Sequence, residues 1–269
     1  MKRIIFRWLK LVVLIYCLGG IAIYYLQNTI MFRPEPLPAD HRYTFNQPFT
    51  ELNLVWNANS NINIVQFHAK DSAAAKGVVL YFHGNKSGIE RYASAAKDFT
   101  ERGYHCWMID YPGFGKSTGE FTEQRLYDWA LVFYKLAHAR YSPDSIVIYG
   151  KSMGTGIASQ LASIRNSKAL VLEGPYYSWP SIVDSRLLPI YPTHTMIHFK
   201  LPVYQYLQNV STHVIIFHGA DDSTIPYRNS KKLKPFLKPG DAFITIEDAH
   251  HNDLPQFPQY RQKLDSLLR

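Results

Sequence analysis

Ser145-Ile146-Val147-Ile148-Tyr149-Gly150-Lys151-Ser152-Met153-Gly154 is the stretch on which the fold turns. Its first half is a short β-branched and aromatic run that reads as a buried strand. Its second half is a G-x-S-x-G pentapeptide. Ile157-Ala158-Ser159-Gln160-Leu161-Ala162 follows and reads as a helix. Strand, sharp turn, helix is the setting of a nucleophile elbow. Both glycines answer to crowding, because a Cβ at either would meet the neighbouring strand or helix. The turn lifts the Ser152 hydroxyl clear of the backbone, and the helix N-terminus beneath it favours nearby negative charge.

Working outward, strands centred near Val78, Cys106, Val147, Leu170, Ile215 and Ile244 alternate with helical stretches near Ile89–Arg102, Gln124–Arg140, Thr155–Ile164, Pro226–Leu237 and Pro255–Leu268. Such alternation predicts right-handed βαβ crossovers and a mostly parallel sheet, an α/β fold. Leu52–Trp56 and Ile62–Ala69 read as a preceding hairpin around Asn57-Ala58-Asn59-Ser60-Asn61. Between the strands at Leu170 and Val214 lies an insert, about 175–211, rich in Tyr, Trp, Pro and Leu. It reads either as a small aromatic lid that receives an acyl chain or as ordinary packing of a helical excursion.

A serine hydroxyl needs a base to take its proton, and the base needs a carboxylate to hold its tautomer. In this architecture the chain order is Ser, then Asp or Glu, then His. The run Val214-Ile215-Ile216-Phe217 ends in His218-Gly219-Ala220-Asp221-Asp222, and Ala242-Phe243-Ile244-Thr245-Ile246 leads to Asp248-Ala249-His250-His251-Asn252-Asp253. Loops at the C-terminal ends of parallel strands are where such sheets put functional groups. Asp221 and Asp222 are adjacent, so only one faces the histidine, and the same holds for His250 and His251. The residues alone leave both choices open. Met153, directly after the nucleophile, supplies one oxyanion N–H. The other belongs to the loop after Gly77-Val78-Val79-Leu80-Tyr81, which begins His83-Gly84-Asn85. His83 and His218 read as residues that orient loops.

Tyr81-Phe82-His83-Gly84-Asn85, Asp110-Tyr111-Pro112-Gly113-Phe114-Gly115-Lys116-Ser117, the pentapeptide, His218-Gly219-x-x-Asp222-x-x-Ile225-Pro226 and His251-Asn252-Asp253 occur in that order. In this the chain resembles the Bem46-like group of α/β-hydrolases, which holds the ABHD12-, ABHD13- and ABHD17-type serine hydrolases. The likeness runs from about Leu52 to the C-terminus. It implies Ser152 as nucleophile, Asp222 as acid and His251 as base, with the N–H of Asn85 beside that of Met153 in the oxyanion hole. His250 stands where the group usually has glycine. The resemblance also implies lipid-like acyl esters or thioesters as substrates. A serine peptidase with the same triad, or a silent scaffold binding a partner at a membrane, are the alternatives.

Several classes are excluded. No G-x-G-x-x-G, H-E-x-x-H or C-x-x-C is present, so no dinucleotide cofactor and no metal is expected. Epoxide hydrolases and haloalkane dehalogenases need a carboxylate nucleophile, and Ser152 is not one. The net charge of +8 comes without an RNA-binding signature, and nucleic acid is not an expected partner. Oligomeric state is not legible. Cys17 and Cys106 are the only thiols, one in the N-terminal apolar segment and one in a core strand, and are not expected to join.

Lys2, Arg3, Arg7 and Lys10 precede an uncharged stretch from Leu11 to Phe32. About 20 residues cross the hydrocarbon layer, and Tyr24 and Tyr25 suit its interface. No small-x-small cleavage site follows, so residues 1–32 read as an uncleaved signal anchor. The basic flank then stays cytoplasmic and the catalytic domain lies on the other side, in a lumenal or extracellular space, or in the periplasm if the host is a bacterium. Residues 33–49, opening with Arg33-Pro34-Glu35-Pro36-Leu37-Pro38, read as a stiff linker, and residues 50–269 as the hydrolase domain.

Overall fold

The computed structural model describes residues 1–187 and 190–269. In chain order the elements are α1 (Lys2–Met31), β1 (Arg33–Pro34), β2 (Phe49–Asn57), β3 (Ser60–Phe67), β4 (Gly77–Phe82), β5 (Lys86–Ser87), α2 (Ile89–Tyr92), α3 (Ala96–Thr100), β6 (Tyr104–Ile109), α4 (Glu123–His138), β7 (Ile146–Lys151), α5 (Gly154–Ile164), β8 (Ala169–Glu173), α6 (Trp179–Leu187), α7 (Thr193–Met196), α8 (Val203–Leu207), β9 (Val214–Gly219), α9 (Tyr227–Ser230), β10 (Ala242–Ile246) and α10 (Pro258–Leu267).

The main sheet, among the described residues, runs β10-β9-β8-β7-β4-β6-β3-β2. It is parallel from β10 to β6, while the β2–β3 and β3–β6 pairs are antiparallel. The alternation expected from sequence is therefore observed. The inner strands are buried throughout, as continuous apolar runs covered on both faces must be. From β4 the chain steps to β6 on one side, then crosses back to lay β7 on the other. Strand order reverses there, and the C-terminal ends of β4 and β7, paired as Phe82↔Gly150, frame a crevice.

Helical stretches differ in detail from expectation. The helix expected over Ile89–Arg102 is divided by a 3₁₀ turn at Ala93–Ala95. The one over Pro226–Leu237 is a single α turn followed by 3₁₀ helix containing Pro235, which has no N–H to donate. The hairpin loop is shorter than predicted, because Asn57 already pairs with Ser60.

The stretch read as a linker lies strapped to the domain. Arg33 and Pro34 pair in parallel with Lys86 and Ser87, and Leu37 N–H donates to the Gly115 carbonyl at 2.7 Å. Proline cannot continue α1, but a proline at a sheet edge leaves its neighbours free to pair. Helix α1 is long and apolar enough to cross a membrane, and its apolar window is exposed on the protein. The insert at 175–211 holds α6, α7 and α8; residues 188 and 189 of that stretch lie outside the described residues.

Candidate active site

Ser152 sits at φ +52°, in the left-handed region that few side chains adopt. The turn is clamped from three directions. Ser152 N–H donates to the Glu173 carbonyl at the end of β8 (2.9 Å), and Thr155 donates to the Ser152 carbonyl through both N–H and hydroxyl. A Cβ on Gly154 would stand 2.1 Å from the Phe82 carbonyl, and one on Gly150 would stand 2.6 Å from the Gly154 carbonyl. The elbow thus needs glycine at both ends, as the pentapeptide implied.

Beneath it lies a charge pair that sequence reading missed. Lys151 Nζ donates to the buried Glu173 carboxylate, which also accepts from Tyr149. The same ammonium is 3.5 Å from the His251 carbonyl. Removing one partner of a buried pair strands the other's charge at a cost of about 3–5 kcal/mol. Lys151→Ala is therefore expected to destabilise the fold by about that amount, read as a fall in urea midpoint. Lys151→Met with Glu173→Leu should recover most of it; a single variant as stable as the parent would show that the pair holds nothing.

Asp222 and His251 come together. His251 Nδ1 is 2.7 Å from Asp222 Oδ2, in buried surroundings. The other carboxylate oxygen, Oδ1, accepts from the N–H groups of Thr224 and Ile225, each at 2.8 Å. Burial alone would raise the Asp222 pKa. The hydrogen bond and charge of His251, with the Ile225 N–H, outweigh it and hold the carboxyl below its ordinary range. Asp221 and His250 face solvent, with His250 Nδ1 3.0 Å from the Asp221 carbonyl. So the structure brings together Asp222 and His251, the two residues the resemblance put forward, and turns Asp221 and His250 outward.

The His251 ring lies beside the elbow. Gly174 follows the residue that accepts the Ser152 N–H, and a Cβ on it would stand 3.0 Å from His251 Cε1. Gly174 has φ +57°, so both its backbone and the adjacent ring require glycine. Nothing in the local sequence marks it, since its role exists only once β7, β8 and the histidine loop are assembled. His218, expected to orient a loop, does so: its Nε2 lies 2.9 Å from the Ile225 carbonyl and 3.5 Å from Asp222 Oδ2. Burial lowers its pKa, outweighing the neighbouring Asp222 charge, which would raise it. His83 likewise bonds the Gly84 carbonyl.

The loop after β4 approaches the same point. A Cβ on Gly84 would stand 3.5 Å from the Ser152 Cβ. The Asn85 side chain, left open by sequence, donates to the Met31 carbonyl at 2.6 Å, and the Asn85 backbone carbonyl accepts from Arg33 N–H. Among the described residues, the backbone N–H groups of Met153 and Asn85 have no acceptor within the chain. A cavity of about 490 Å³ opens over Ser152, with Asn85, Trp179, Val183 and Ile225 in its walls. Of the insert's aromatics, Trp179 lines this cavity, whereas Tyr176 is buried with its hydroxyl on the Met153 carbonyl and Tyr177 stacks on Tyr204 at 4.2 Å. Trp179 thus faces the cavity, while Tyr176, Tyr177 and Tyr204 serve packing.

Comparison with known proteins agrees with this fold. The family profile of the serine aminopeptidases, S33, matches residues 73–197. Protein ABHD12B of Homo sapiens is 32% identical over 177 residues, covering 58% of this chain and 48% of the relative. Lysophosphatidylserine lipase ABHD12 of Danio rerio is 27% identical over 229 residues, covering 75% and 60%. The chain thus spans about half to three fifths of the length of these relatives. The esterase Pf2001 of Pyrococcus furiosus superposes with a TM-score of 0.67 at 17% identity, over 88% of this chain and 98% of that one.

Proposed function

We propose that this chain, which shares its fold with the esterase Pf2001 and is similar in sequence to the ABHD12 proteins, is an α/β-hydrolase: a membrane-anchored serine hydrolase that cleaves carboxylic esters or thioesters of lipid-like acyl substrates. The observation that carries this reading is the buried Asp222–His251 pair set beside the strained turn that exposes Ser152.

Asp222 accepts the Nδ1 proton of His251, so Nε2 keeps its lone pair and serves as base. As Ser152 Oγ bonds to the acyl carbon, its proton passes to Nε2 and the carbonyl electrons move to oxygen. The N–H groups of Met153 and Asn85 hold that oxyanion, each worth about 3–4 kcal/mol in systems of this kind. The bond to the leaving oxygen or sulfur then breaks, and the Nε2 proton goes to the leaving group. Water, giving its proton to Nε2, attacks the acyl-enzyme; the proton returns to Ser152 as the acid departs. Helix α1 anchors the domain, with the basic flank Lys2 to Lys10 on the cytoplasmic side and the hydrolase domain opposite.

Fluorophosphonate labelling tests the reading. The wild-type chain is expected to label and Ser152→Ala is not. Folded protein that fails to label would favour the scaffold. The S33 profile supports a second reading, amide cleavage at the same serine. Parallel assays on p-nitrophenyl esters and amino-acid p-nitroanilides separate the two: turnover of the anilides with inert esters would replace the ester reading with the peptidase one.

A further inference from the structure

Helix α1 is more than a tether to the domain. Its Ile23, Gln27 and Met31 share one face, at intervals of four residues, and line the cavity that holds Ser152. Across the cavity stand Trp179, Ile182 and Val183 of α6. The docking is specific. Gln27 is the one buried residue of α1; its side chain donates to the Met196 carbonyl and accepts from His198 N–H. Trp179 Nε1 lies 3.0 Å from Met31 Sδ, and Phe32 stacks on the Trp179 ring at 5.2 Å.

The contact continues toward the middle of the apolar stretch. Tyr16 and Tyr191 stack at 4.7 Å and exchange hydrogen bonds with each other's segment, from Tyr16 to the Ile190 carbonyl and from Tyr191 to the Tyr16 carbonyl. Gly19 makes room, since a Cβ there would stand 2.4 Å from the Tyr191 hydroxyl. Only Lys2 to Ile15, about 21 Å of helix, projects beyond this contact, which is short of the roughly 30 Å hydrocarbon layer. A helix that places Leu11–Phe32 in the bilayer therefore carries the edge of the insert, with its exposed Ile190, into the lipid.

Resting on the ester-hydrolase reading above, we propose that α1 and α6 form an acyl-chain subsite that opens sideways to the bilayer. A long-chain acyl ester slides in between them, its carbonyl reaching Ser152 while its tail lies along Ile23, Ile182 and Val183. The apolar side chains of α1 and α6 suit a hydrocarbon chain, while Arg33, Asn85 and Lys86 make another part of the wall polar, and the wall supplied by α1 continues into the exposed apolar surface of that helix.

The test uses the full chain in lipid nanodiscs, comparing p-nitrophenyl palmitate with p-nitrophenyl butyrate and following fluorophosphonate labelling alongside. Ile23→Trp and Val183→Trp fill the subsite from its two walls. Each is expected to lower the palmitate-to-butyrate ratio of kcat/KM by about tenfold or more, because the loss grows with every methylene excluded. Labelling with an unchanged ratio overturns the subsite and leaves the hydrolase intact. If a tryptophan variant fails to label, Ile182→Ala replaces it; an unchanged chain-length profile there also overturns the subsite. A wild-type chain that neither labels nor cleaves either ester overturns the hydrolase reading, and this one with it.

Discussion

Ser152→Ala and His251→Ala are each expected to lower kcat on a p-nitrophenyl ester by about a thousandfold or more, while His250→Ala stays within about threefold of the parent. The contrast follows from where two adjacent imidazoles point. His251 is buried, held at Nδ1 by Asp222 and flanked by Gly174. His250 is exposed, and its Nδ1 is occupied by a backbone carbonyl across the loop. Serine and base act as a unit, so removing either should cost nearly as much as removing both, and the double variant should fall no further than the singles. Circular dichroism and thermal midpoints confirm that each variant is folded. A large loss on His250→Ala with a small one on His251→Ala would reverse the assignment of the base.

How far the site was legible depends on which of its constraints are local. The elbow is local: a strand, five residues and a helix are contiguous, and the crowding that demands Gly150 and Gly154 follows from the turn itself. The strands β4, β6, β7, β8, β9 and β10 were legible for the same reason, each being a short apolar run between helices, whereas their order in the sheet was not. The choice between Asp221 and Asp222 was not legible in the residues. Adjacent side chains diverge by geometry, and it is the N–H groups of Thr224 and Ile225 together with the His251 ring that hold the Asp222 carboxylate inward. Gly174 and the Lys151–Glu173 pair depend on contacts between separate strands. In the proline-rich stretch composition reports stiffness alone, whereas the pairing of Arg33 with Lys86 depends on a partner more than fifty residues away. Helix α1 was read from its hydropathy, which says nothing of the hydrogen bonds by which Gln27 and Tyr16 dock it.

Asp222→Asn should reduce kcat about ten-thousandfold with little change in KM, the scale seen when the acid of a serine triad becomes an amide. The reason lies in the two sides of this carboxylate. Oδ1 accepts from two backbone N–H groups, so the amide oxygen of asparagine must occupy that side and its NH₂ must face His251 Nδ1. An NH₂ there requires Nδ1 as acceptor, which places the ring proton on Nε2 and removes the lone pair that would take the serine proton. Geometry survives while the tautomer is wrong, so the loss falls on kcat. Stability should change as well, with a definite pH dependence. The folded-state pKa of Asp222 is held below its unfolded value, so its ionised form stabilises the fold above about pH 4, and that contribution fades as pH falls through the folded-state value. The gap in unfolding free energy between the parent and Asp222→Asn is therefore expected to be widest near neutrality and to close on acidification below about pH 4. Urea unfolding at several pH values measures it. A gap that widened toward acid, or a variant turning over within about tenfold of the parent, would mean that this carboxylate does not hold the base.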